Sequence, residues 1–262
     1  MFKSLFIPFY NSGRRLNVRF LATVQLAVMA ALWFIAPSET GIPTPASIFH
    51  WWNVLALQQG LLVELWNSIM VITKALLLSA LLSAAIGAVT TADFFKSFGT
   101  WIASMRFLGF AGLTFLFTLW TSNGSQLKLA LLTFGMTVFL TRSVIDMVKS
   151  VPQSDVDYGR SLGLQGWRLT WELILRGRSA DILDLVRQNA AIGWTLLSMV
   201  EGLVRSEGGI GALLLNQNKY FNLSAVFAIQ LTILAYGILQ DIALSYLRGL
   251  VCPWTQLNRS DL

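Results

Sequence analysis

Lys149–Arg178 reads KSVPQSDVDYGRSLGLQGWRLTWELILRGR, and it is the one long polar interruption in a chain otherwise built of apolar runs. Ser154 stands three residues before Asp157 in a capping-box arrangement just after Pro152. A helix is therefore expected to start near Ser154 and run to Leu162, where Gly163 ends it. A second amphipathic segment follows, with Trp167, Trp171 and Ile174 at i, i+4 and i+7 and with Arg168 and Glu172 turned elsewhere. Two short helices around a glycine corner, held between apolar spans, make a docking knob. With its flanks this loop covers 149–181.

The rest of the chain is a membrane sequence. Of 262 residues 55% are hydrophobic and 12% charged, and the mean hydropathy is +0.62. This is too apolar for a soluble domain, and the apolar runs reach spanning length. The fold class expected is an all-α integral membrane protein, a single transmembrane domain over 1–262. The net charge of +6 does not point to nucleic acid, because no basic stripe with interleaved aromatics lies outside the spans. Cys252 is the only cysteine and excludes an internal disulfide. His50 has no second ligand cluster for a metal. No G-x-x-x-x-G-K-[ST] loop occurs, so ATP is not held here in the usual way. No histidine pair, Ser/His or paired-Asp arrangement within a span supports an intramembrane enzyme.

About six spans are expected, over 18–36, 65–90, 107–120, 127–148, 182–204 and 223–247, with the docking loop between the fourth and fifth. The basic N-terminal residues could open a signal peptide, but no small-residue cleavage site follows Leu32–Ile35, so an uncleaved first span is the reading. A short helix with Trp51 and Trp52 is expected on the outer surface after Pro43 and Pro45. The run SALLSAAIGA in the second span would let helices approach closely. The third span is short for a full crossing. Fifteen of the nineteen Lys and Arg fall on one side, against Lys128, Arg205 and Lys219 on the other. By the positive-inside rule the loop and both termini are cytoplasmic. Lys74 lies inside the second span, where it either snorkels or faces a polar path.

These residues carry a resemblance. Asp157-Tyr158-Gly159-Arg160-Ser161-Leu162-Gly163, continuing to Leu173-Ile174-Leu175, resembles the EAA loop of permeases in ABC-type importers. Asp157 stands where the family has Glu, Tyr158 and Gly159 replace two alanines, and Arg176 replaces a proline. The likeness narrows to the nitrate, sulfonate, taurine and bicarbonate permeases. Ile42-Pro43-Thr44-Pro45 resembles their turn after the first span, and Leu119-Trp120, Gly124, Lys128 and Gly135 follow their LWFGxG, K and G spacing. Lys149-Ser150-Val151 is similar to their R-S-V. Trp194, Glu201 and Gly208–Gly211 are similar to a W, AE and GGLG run. The family's prolines in the third and fourth spans are also missing, as at Phe107 and Gly109. Loss of proline removes kinks, so straighter helices are expected.

The resemblance implies a permease subunit of an ATP-driven importer in a bacterial plasma (inner) membrane, itself no enzyme, carrying a small anion or polar nutrient. Its implied partners are cytoplasmic ABC ATPase subunits that bind ATP and Mg, a second permease copy or a paralogous permease, a periplasmic or lipid-anchored substrate-binding protein, and membrane lipid. Asp157, Arg160, Leu162, Gly163, Trp167, Arg168 and Trp171 would couple to the ATPase. Lys74, Trp194, Glu201, Gly208, Gly209 and Gly211 would serve the translocation path or gate. Read from the residues alone, the glycines also fit a plain re-entrant turn, and Glu201 an interfacial carboxylate paired with Arg205 at i+4. The missing prolines leave a second functional reading, a non-transporting membrane scaffold or regulatory subunit that keeps the permease fold.

Overall fold

Thr44 caps the first well-defined helix: its side chain accepts the Ser47 N–H at 3.3 Å, and Pro45 fills the first helical position. The computed structural model describes residues 43–254 together with positions 23–25, 27, 28, 31 and 33. The expected first span lies largely outside these, and the termini lie wholly outside. Helix α1 (Pro45–Gln58) does lie where a short helix was expected. Trp52 is half-buried, and its indole N–H donates to Thr232 Oγ1 at 3.1 Å.

Helix α2 (Leu61–Val89) begins at Gly60, whose φ of 67° lets the chain turn out of α1. Eight further α-helices follow among the described residues. Short 3-10 turns flank α3 (Lys96–Ser104), and α4 (Phe110–Thr118) and α5 (Gly124–Lys149) follow. The docking loop contributes α6 (Gln153–Ser161) and α7 (Gly166–Thr170), the latter continued by a π-helical turn over Trp171–Arg176. Then come α8 (Ser179–Leu203), α9 (Ile210–Lys219) and α10 (Leu223–Val251). No strand occurs among the described residues.

Three of these helices are long and apolar enough to cross a membrane, α2, α5 and α10, and a fourth crossing is available if α3 and α4 count as one bent span. Six is therefore more than the described residues display by length and composition. Helix α2, at about 43 Å from 29 residues, exceeds the hydrocarbon thickness of about 30 Å. Helix α8 has the length but not the apolarity. Its charges are used between helices: Arg248 meets Asp184 at 2.9 Å and Arg187 meets Asp241 at 3.6 Å, pinning α8 to α10 at two levels.

Helix α5 is the central post. Leu132, Met136 and Leu140 are fully enclosed among Ile72, Leu76, Trp194, Leu197 and Ile229 from α2, α8 and α10. Small residues set the α2–α5 distance as expected. Ser83 Oγ donates to the Thr137 carbonyl at 3.1 Å, and a Cβ at Gly87 would overlap the Val144 side chain.

The third span departs from expectation. Absence of proline at Phe107 and Gly109 does not straighten it: α3 and α4 meet at 109°. Leu108 and Gly109 are extended (ψ 128° and 133°), so the helical hydrogen-bond ladder stops there without proline. The two pieces share the traverse. Gly99 of α3 packs on Thr90 and Ile145 near the docking-loop ends of α2 and α5, and Phe110 of α4 packs on Gly135 halfway along α5.

Candidate functional site

Two chemically distinct centres lie at opposite ends of α2 and α5. Glu64, Ser68 and Lys128 lie in the first turns of these helices; Thr90 and Lys149 end them against the docking loop.

At the first end, α9 begins after Gly208 (φ 65°) and Gly209 (φ 107°), conformations that side chains other than glycine resist. A helix start leaves its first N–H groups without intrahelical partners. Here three consecutive ones are satisfied by side chains from α2 and α8. The Gly209 N–H donates to Glu64 Oε2, the Ile210 N–H to Ser68 Oγ at 2.9 Å, and the Gly211 N–H to Glu201 Oε2 at 2.8 Å. Ser68 Oγ in turn donates to Glu201 Oε1 at 2.6 Å. Lys128, 3% exposed, closes the arrangement. Its ammonium donates to the carbonyls of Gly208 (2.9 Å) and Glu207 (3.3 Å) and lies 3.8 Å from Glu201 Oε1.

Glu201 is completely enclosed. Both oxygens of its carboxyl group have hydrogen-bond partners, which offsets part of the cost of burying it. The positive end of the α9 dipole adds to this. Glu201 is thus not an interfacial partner of Arg205, whose Nε instead donates to the Gly202 carbonyl at 3.1 Å. The glycines admit no larger residue: a Cβ at Gly209 would overlap the Glu201 carboxylate, and one at Gly211 would come within 2.6 Å of the Ser198 carbonyl oxygen.

The structure thus brings together Glu201, Gly208, Gly209 and Gly211, and adds Glu64, Ser68 and Lys128. The spacing of Glu64 and Ser68, i and i+4 on one helix, was the available signal for the first two. Trp194 is elsewhere, buried between α8 and α10, where it donates to Gln240 Oε1 at 2.6 Å and meets Tyr236 edge-on. Lys74 is also apart. It sits at the middle of α2 on an exposed face, without a hydrogen-bond or ion-pair partner among the described residues.

At the other end the docking loop has the expected helix, corner, helix form. Gly163 (φ 80°) ends α6 in a Schellman motif: its N–H reaches the Arg160 carbonyl at 2.9 Å, and the Leu164 N–H reaches the Gly159 carbonyl at 3.1 Å. The capping box does not form. Pro152 is the N-cap without a side-chain bond, and Asp157 instead accepts from Gln153 Nε2 at 3.1 Å and pairs with Arg160 at 3.5 Å. Trp167, Trp171 and Ile174 do not share a face either. The π turn, marked by the Gly177 N–H to Glu172 carbonyl bond at 2.9 Å, shifts the register so that Ile174 is buried while Trp167 and Trp171 stay about 60% exposed. Leu162, Gly163 and Arg168 are exposed beside them, as is Tyr158.

No family model matches the chain. Over 139 residues, 53% of this chain and 50% of the relative, it is 26% identical to the taurine transport system permease protein TauC of Escherichia coli (strain K12). Over 140 residues, 53% of this chain and 52% of the relative, it is 23% identical to a protein of Methanocaldococcus jannaschii that carries a provisional name as an ABC transporter permease protein. The matches span about half the length of these curated relatives. At low identity and over about half its length, this multi-helix, apolar chain is similar to the permease proteins of ABC transporters.

Proposed function

We propose that the chain is a transmembrane permease subunit of an ATP-driven importer, embedded in the bacterial inner membrane with the 149–178 loop and both termini cytoplasmic. The observation that carries this is the exposed aromatic cluster on a short, glycine-cornered loop at the ends of two spanning helices. Tyr158, Leu162, Trp167 and Trp171 are each about 60–70% exposed on a polar loop. Large anchors of this kind mark interaction surfaces. The occupant is a cytoplasmic ATPase, with Arg160 and Arg168 meeting acidic groove residues. Nucleotide-driven closure of an ATPase pair rocks this chain against a second permease, and a separate binding protein delivers the solute near the Glu201 end.

Lys74 bears on the path. A lysine at the centre of a 29-residue apolar helix is costly against lipid. Its face therefore meets a second permease chain or the polar path between them, where it attracts a small anionic or polar nutrient. The taurine named for the E. coli relative is a small sulfonate of this kind.

Purification of the full chain from its native membrane in mild detergent tests the reading. An ATPase with a phosphate-binding loop is expected in about equal amount, lost on Trp167→Ser with Trp171→Ser. Recovery without any ATPase, or equal recovery with both tryptophans replaced, overturns it. Solute uptake unchanged after deletion of the chain would favour the scaffold reading raised by the missing prolines.

A further inference from the structure

A cavity of about 930 Å³ opens between the docking loop and the ends of α2, α3 and α5. This is the size of a small-molecule site. Its floor is apolar, with Ile145, Val148, Leu169 and Ile174. Its rim carries Lys96, Lys149 and Arg160 and no carboxylate. Two of these cations are committed: Lys96 to Asp93, and Arg160 to Asp157 at 3.5 Å. Lys149 has no ion-pair or hydrogen-bond partner among the described residues. One cationic charge thus remains uncompensated beside a greasy floor.

The cavity's level in the fold identifies its occupant. Thr90 caps α2 and Lys149 closes α5, two helices of membrane-crossing length, so the cavity mouth lies where the hydrocarbon gives way to headgroups. Helix α3 forms one wall. It turns Lys96 to the rim while Phe98 and Trp101 stay exposed, about 51% and 59%, next to the exposed Phe94. Aromatics of this kind beside cations are typical of helices lying in the interface. A second opening of about 440 Å³ adjoins on α3; it shares Lys96 and Thr100 with the cavity and is also lined by Trp101. Basic pockets at the cytoplasmic ends of membrane helices recognise anionic headgroups.

We propose that this cavity binds one anionic phospholipid, its phosphodiester on Lys149 and the Lys96 side of the rim and an acyl chain along the apolar floor. A single free cation matches the single charge of a phosphodiester. The lipid would lie directly behind α6 and α7, so the anionic lipid content of the membrane would set how the docking loop is braced. The inference rests on the chain being membrane-embedded, but not on its docking an ATPase.

The test is native mass spectrometry and tryptophan-fluorescence titration of the delipidated full chain in detergent. The probes are phosphatidylglycerol, phosphatidylcholine and inorganic phosphate. One phosphatidylglycerol per chain is expected, bound at least tenfold more tightly than phosphatidylcholine and not displaced by excess inorganic phosphate. Lys149→Gln should weaken it at least tenfold. Arg142→Gln, which removes an exposed cation of α5 outside the cavity and paired with Asp146, should not. Equal affinity for the two lipids, an unchanged Lys149→Gln, or an equal loss in Arg142→Gln overturns the proposal. Displacement by phosphate assigns the cavity to a free anion instead and overturns the lipid. ATPase recovery is read separately, so loss of docking with lipid binding intact counts only against the importer reading.

Discussion

Ser68 Oγ bonds to Glu201 Oε1 at 2.6 Å across 133 residues of chain while accepting the Ile210 N–H at 2.9 Å. One hydroxyl joins α2, α8 and the start of α9. With Glu64 and Lys128 it makes the glycine segment a fixed part of the bundle. If this end opens for transport, it must do so by moving α9 with its carboxylates or by exchanging these bonds for equivalent ones.

Ser68→Ala strands a buried N–H and removes a donor from a buried carboxylate. A loss of about 1–3 kcal/mol is expected, seen as a lower midpoint of thermal unfolding in detergent. Ser79 is also fully buried, but its hydroxyl donates only to the Leu76 carbonyl of its own helix at 2.9 Å. Ser79→Ala should therefore cost distinctly less. Equal losses at the two serines would show that the bridging role of Ser68 carries no energy.

Lys128→Met leaves Glu201 without its counter-charge and two loop carbonyls without their donor. Breaking such a pair costs about 3–5 kcal/mol. Lys128→Met with Glu201→Gln should recover part of that loss, because the amide needs no counter-ion. A double-mutant cycle by thermal unfolding reads the coupling, and additive losses would mean that the ammonium acts only through the carbonyls.

Gly209→Ala and Gly60→Ala differ in both backbone strain and crowding: ψ is 161° at Gly209, in a region reserved for glycine, and 27° at Gly60, in the left-handed region that alanine can enter. Both glycines have positive φ, 107° and 67°. Nothing lies within 4 Å of a Cβ at Gly60, so its substitution costs only the left-handed penalty of about 1–2 kcal/mol. At Gly209 the methyl also meets the Glu201 carboxylate, and the unfolding midpoint should fall clearly further. Similar midpoints for the two variants would mean that both the carboxylate and the loop backbone yield.

The elements legible in the sequence were those with a local cause. Apolar runs marked α2, α5 and α10, the small residues near Gly87 marked a close helix contact, and Gly163 marked the corner of the loop. What was not legible depends on distant partners or on helix register. Glu201 read equally well as a surface residue, because Ser68, Lys128 and Gly211 reach it from elsewhere in the chain. Helix α8 was legible as a span over 182–204, but the use of its charges was not, since Asp184 and Arg187 are neutralised by Arg248 and Asp241 of α10. Missing prolines argued for straight helices, yet the backbone breaks at Leu108 and Gly109, and a π turn occupies Trp171–Arg176 just where Arg176 replaces proline. Helix irregularity there follows from how the pieces pack, which residue type alone does not disclose.

Gly163 tests the docking loop without touching its aromatic surface. Its φ of 80° excludes proline, which is fixed near −65°, and its N–H is needed for the bond to Arg160. Gly163→Pro should therefore unmake the corner that joins α6 to α7, and abolish ATPase recovery while the spans remain inserted. Asp157→Lys should do the same by reversing the charge that holds Arg160. Asparagine tolerates the left-handed conformation, so Gly163→Asn should retain most of the recovery. The readout is ATPase co-purification, with insertion checked by membrane fractionation. Loss in both Gly163→Pro and Gly163→Asn would mean that glycine is needed for close approach of the partner rather than for the turn. Full recovery in Gly163→Pro would remove the loop from the coupling path altogether.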